Sequence, residues 1–90
     1  MTVVARKRAG SCTVRVLQYG GTATKNEVQT KIAQLNVNPA TEVTQLFGVQ
    51  GGAWGLVHVG TDGAVSIYHM FNASALTWSL IDVSVTFTIA

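Results

Sequence analysis

From Ile81 to Ile89 the chain alternates without a break: Ile81, Val83, Val85, Phe87 and Ile89 are separated by Asp82, Ser84, Thr86 and Thr88. A period of two puts every apolar side chain of a strand on one face, whereas a helix would scatter the same residues around its circumference. The β-branched residues that dominate the run suit a pleated surface. The segment is therefore expected to be a strand, with Val83, Val85 and Phe87 turned to a core and the Ser/Thr face turned away. Because a strand cannot satisfy its own backbone, the rest of the chain has to supply partners for it.

Ser11 to Leu17 repeats the pattern, with Cys12, Val14 and Val16 on one side and Ser11, Thr13 and Arg15 on the other. Here Cys12 reads as a small core hydrophobe. Trp54 to Val59 and Ala64 to His69 flank Gly60-Thr61-Asp62-Gly63, and an Asp-Gly pair between two β-rich runs predicts a hairpin, since glycine accepts the positive φ that such turns need. Glu42 to Phe47 reads as another strand behind a loop around Pro39, and Val3 to Lys7 as a first, edge-like strand. Ala23 to Leu35 carries two spacings. Val28, Thr30 and Ile32 fit a strand; Val28, Ile32 and Leu35 fit a helix, which Thr24 and Glu27 could cap. Strand is preferred because every neighbour is β. Gly20-Gly21, Gly51-Gly52 and Asn72-Ala73-Ser74 are expected as loops. The whole predicts an all-β domain, residues 1–90, built as a small antiparallel β-sandwich or barrel, jelly-roll-like, of six to eight short strands.

Ninety residues bury a limited share of the unfolded surface, so such a domain gains from a supplement to its core. Cys12 is the sole cysteine, which removes an intrachain disulfide and a single-chain cysteine zinc site. Only 11% of residues are charged, against about 25% in an average soluble domain. Thr, Ser, Asn, Gln and Gly take their place and cost less to bury between subunits than Lys or Glu. Oligomerisation is the supplement this composition points to, and a homotrimer is expected. The net charge of +2 comes from one cluster, Arg6, Lys7 and Arg8, followed by Arg15, without the basic helix or aromatic signature of a nucleic-acid binder. Nucleic acid is not an expected partner. Met1 to Arg8 places its charges after a short apolar stretch, the reverse of a signal peptide, and no run of about 18 apolar residues predicts a membrane helix.

Candidate chemistry is sparse. The four acids, Glu27, Glu42, Asp62 and Asp82, have plainer roles as a cap, a strand edge, a turn and an outward strand position. Ser66, His69 and Asp82 are the types of a nucleophilic triad, but such trios arise by chance in most domains. His58 and His69 flank the hairpin, yet two imidazoles fall short of a metal site unless a three-fold axis multiplies them. Gly48-Val49-Gln50-Gly51-Gly52 lacks the lysine and following helix of a phosphate loop. No enzyme activity, metal or cofactor is expected.

The order of these segments resembles the C-terminal head domains of tailed-phage receptor-binding proteins and tail fibres. Lys7-Arg8-Ala9-Gly10 leads into Thr13-Val14-Arg15-Val16, and Ile32-Ala33-Gln34-Leu35 precedes the loop at Pro39. Then come Gly52-Ala53-Trp54-Gly55, Thr61-Asp62-Gly63 followed by Ala64-Val65-Ser66-Ile67-Tyr68, and Trp78 before the closing strand Val83 to Ala90. Where such heads often carry a Gly, an aromatic and an Arg before the loop proline, this chain has Asn36-Val37-Asn38. The resemblance implies a trimeric virion component of the phage tail that binds a host cell-surface saccharide alongside other tail or baseplate proteins. The alternative is a structural virion protein, a capsid decoration or tail-completion domain, with no saccharide site. Sugars are held by aromatic faces and planar polar groups, and four of the seven aromatics lie between Trp54 and Trp78. The candidate ligand-binding residues are therefore Trp54, His58, Asp62, Tyr68, His69 and Trp78, with a cleft between protomers as the location the resemblance implies.

Overall fold

A computed structural model describes the backbone of residues 2–24, 30–48, 54–70 and 75–90, and the side chains of 2–18, 30–48, 54–68 and 81–90. The described residues form seven strands: β1 (Thr2–Arg8), β2 (Ser11–Thr24), β3 (Thr30–Gln34), β4 (Val43–Gly48), β5 (Trp54–Val59), β6 (Ala64–Met70) and β7 (Ala75–Thr88). They make two antiparallel sheets, ordered β1-β2-β7 and β3-β6-β5-β4. Of the two expected architectures, this is the sandwich.

The C-terminal alternation does what its period requires. Ile81, Val83, Val85 and Phe87 are buried, and Asp82, Ser84, Thr86 and Thr88 are exposed. β2 pairs with β7 in register, Cys12 opposite Phe87, Val14 opposite Val85 and Val16 opposite Val83, so one continuous apolar face forms from segments far apart in the chain. Phe47 from β4, Val57 and Val59 from β5, and Val65 and Ile67 from β6 close the core from the other sheet. Burial pushes the Cys12 thiol up from its ordinary pKa, which leaves it the apolar filler its position suggests.

Both long strands exceed expectation, running 14 residues each. Gly20 and Gly21, expected as a loop, lie inside β2, because the β7 ladder continues past them with Tyr19 opposite Leu80 and Gly21 opposite Trp78. Glycine weakens a strand but does not end one when a partner holds both flanks. Thr24, weighed as a helix cap, is the last residue of β2, and Thr30–Gln34 of the ambiguous segment is strand, irregular between Lys31 and Ala33. Val28 and the expected loops at Gly51-Gly52 and Asn72-Ser74 lie outside the described residues.

The β5–β6 hairpin closes as predicted. The Gly63 amide donates to the Gly60 carbonyl at 2.9 Å and the Gly60 amide to the Ala64 carbonyl at 3.0 Å, with Gly63 at φ 84°. A side chain at Gly63 would meet a second obstacle besides backbone strain, since its Cβ would fall 2.8 Å from the Val37 carbonyl. That loop in turn ties the two sheets. Pro39 is buried and bridges to Ile89, the Ala40 amide donates to Thr88 and the Ala90 amide to Asn38, both at 2.8 Å.

Phe87 is 4% exposed at the centre of this arrangement while Thr86 beside it faces water. Phe87→Ala is expected to cost about 3–5 kcal/mol in chemical denaturation, and Thr86→Val less than about 1 kcal/mol. The reverse order would mean that the faces are exchanged.

Candidate functional site

The outer face of the β3-β6-β5-β4 sheet carries the described aromatic candidates. Along β5, Trp54, Leu56 and His58 point away from the core, while Gly55, Val57 and Val59 are buried beneath them. Register then sets rows across the strands. Leu56 on β5 stands between Leu46 on β4 and Tyr68 on β6, and Thr44, His58 and Ser66 form the next row. Trp54 sits at the end of β5, opposite Gly48 and Met70.

Trp54 is 43% exposed and Leu46 60%. With Phe47 and Gly48 they line a hollow of about 430 Å³. Beneath it, on the core side, a Cβ at Gly55 would lie 2.5 Å from Phe47 Cζ and from the Tyr68 carbonyl, so only glycine admits the Phe47 ring against β5. The polar edge of the patch is an ion pair or hydrogen bond between His58 Nε2 and Glu42 Oε2, 3.2 Å apart. Glu42 is a residue that sequence reasoning left at a strand edge. Its neighbour in space follows from Thr44 pairing with His58, which no short-range pattern reveals.

The other candidates lie elsewhere. Asp62 serves the turn: its Oδ1 accepts the Ala64 amide at 3.0 Å and its carbonyl accepts Gln34 Nε2 at 2.8 Å. It stands at the opposite end of β5 from Trp54, roughly 17 Å or more away at strand rise. His69 pairs in register with Gly55 rather than His58, so the two histidines are not cross-strand neighbours, and Trp78 belongs to β7 in the other sheet. The side chains of His69 and Trp78 lie outside the described residues. Of the trio Ser66, His69 and Asp82, Ser66 is on the outer face of one sheet and Asp82 on the outer face of the other. Among the described residues no three His, Cys, Asp or Glu side chains gather to hold a metal ion.

Asp82 has a partner of its own. Arg15 donates Nε to Oδ1 at 2.8 Å and Nη2 to Oδ2 at 2.7 Å, a two-point fork across β2 and β7. No family model, curated protein or solved structure matches the chain.

The hydrogen bonds from Arg15 lower the Asp82 pKa below its ordinary value. A carboxylate held down in the folded state contributes stability that is present above the unfolded value, about 3.9, and is lost as pH falls through the folded one. Arg15→Gln is expected to return the Asp82 midpoint, followed by carboxyl NMR, toward the unfolded value. An unmoved midpoint would show that the fork does not control this carboxylate.

Proposed function

We propose that this chain is a non-enzymatic receptor-binding head of a phage tail fibre or baseplate, recognising a host cell-surface saccharide on the outer face of the β3-β6-β5-β4 sheet. The observation that carries the reading is Trp54, 43% exposed at the rim of a hollow on the same face as Tyr68 and the His58–Glu42 pair. An indole or phenol ring offers an apolar face to sugar CH groups, while imidazole and carboxylate take hydroxyls. Rigid strands hold both types, which limits the entropy lost on binding. The sandwich, its two sheets tied through the Pro39 loop, is a suitable platform, and a homotrimer would bury part of the neutral, weakly charged surface.

One observation favours the structural-virion alternative. Leu46, 60% exposed, makes the hollow strongly apolar, which suits contact with a neighbouring protein. Under that reading the same face docks to a tail or capsid component and needs no sugar.

Glycan-array and host-cell binding by the intact protein test the choice. Trp54→Ala is expected to weaken saccharide binding about ten-fold or more, and Tyr68→Ala and His58→Ala several-fold, with folding retained. Undiminished binding in all three removes this face from the site, and binding to assembled particles with none to glycans supports the structural role.

Light scattering at tens of micromolar is expected to give the mass of three chains. A monomer there would overturn the trimer.

A further inference from the structure

The outer face of the β1-β2-β7 sheet has a different chemistry. Register lines up Arg6, Thr13 and Thr86 in one row, Val4, Arg15 and Ser84 in the next, and Arg8, Ser11 and Thr88 at the end. All of these side chains alternate away from the buried Val14, Val16, Val83 and Val85. Val4, Arg6, Thr13, Arg15 and Ser84 line a cleft of about 360 Å³. Its floor is ordered by a hydroxyl pair, Thr13 Oγ1 and Thr86 Oγ1, 2.9 Å apart.

Charge in this cleft is unbalanced. The outward face of the three strands carries Arg6, Arg8 and Arg15 against a single acid, Asp82, while Lys7 lies at the register of Cys12 on the other face. Asp82 is already engaged by both arms of the Arg15 fork. Among the described residues no carboxylate reaches the Arg6 guanidinium, which stands exposed beside the Thr13–Thr86 hydroxyls. The Asp82 fork has two effects. It cancels the charge of Arg15 locally and holds that side chain as a wall of the cleft, leaving Arg6 as the group with five donors to offer.

We propose that this cleft binds an oxyanion, a phosphate or carboxylate carried on a hydroxylated organic ligand, with Arg6 as the anchoring donor and Thr13 and Ser84 meeting the ligand's hydroxyls. A guanidinium fork matches the two oxygens of either anion, and charge-assisted bonds of this kind are roughly twice as strong as neutral ones. The excess of cations on this sheet steers an anion to it. The cleft lies in the range of small-ligand sites and has room for one such group. It belongs to the opposite sheet from Trp54 and stands or falls independently of the saccharide reading there.

The test is an amide-resolved NMR titration of the intact protein at constant ionic strength with inorganic phosphate, glycerol phosphate and glucuronate, with sodium chloride and neutral glycerol as controls. Saturable shifts at Arg6, Thr13, Arg15 and Ser84 with at least one oxyanion are expected, and which arm saturates identifies phosphate or carboxylate as the anion. Arg6→Gln should weaken that binding about ten-fold or more, and Arg6→Lys several-fold because charge survives without the fork, both with unchanged melting temperature. Arg8→Gln, outside the cleft, should change it less than two-fold. The proposal is overturned by no saturable shift in any arm, by shifts centred elsewhere, by equal shifts with chloride, by Arg6→Gln binding like the parent, or by Arg6→Gln and Arg8→Gln weakening it equally.

Discussion

The pairing of β2 with β7 is the interaction on which the rest of the molecule depends. It brings Cys12, Val14 and Val16 against Phe87, Val85 and Val83, the two apolar faces that make half the core. Thr13 and Thr86, which touch across it, are 73 positions apart, so the ladder closes almost the whole chain into a loop. Loop-closure entropy must be overcome before these contacts form, which predisposes such a topology to slow folding. Once formed, the ladder fixes both outer faces, because every inward residue determines the side on which its neighbours stand.

Two chemically distinct surfaces result. The β3-β6-β5-β4 sheet shows Trp54, Leu46, Leu56 and Tyr68 to the outside, with His58 and Glu42 at the margin. The β1-β2-β7 sheet shows hydroxyls and arginines. The basic cluster at Arg6 to Arg8 also serves the fold, since charge along β1, an edge strand, discourages pairing with another chain. β4, one edge of the other sheet, carries no charged residue and displays Leu46. β1 and β4 therefore meet their surroundings differently, and the uncharged β4 adjoins the aromatic face.

Strand existence was legible wherever a local period or turn signal was strong. The closing alternation, the Cys12–Val16 alternation and the Asp62-Gly63 turn each predict their elements because side-chain parity and positive φ are properties of a few consecutive residues. Strand ends were less legible. Gly20 and Gly21 read as a break, yet a partner far along the chain carries the ladder through them. The grouping of the candidate residues was least legible of all: Trp54, His58 and Tyr68 share a face, while Asp62 serves a turn and Trp78 belongs to the other sheet.

The sequence by itself determined that this chain folds as β structure, which residues of its two alternating strands, Ser11 to Leu17 and Ile81 to Ile89, face inward, and where its hairpin turns, since these follow from spacing over two to nine residues. Only the tertiary structure decided register between distant strands. Register placed Glu42 beside His58, Arg15 on Asp82 and Arg6 beside Thr13 and Thr86. A strand pattern is unchanged by sliding its partner two residues along, so local periodicity leaves cross-strand neighbours open. The packing of the whole core selects among the alternatives.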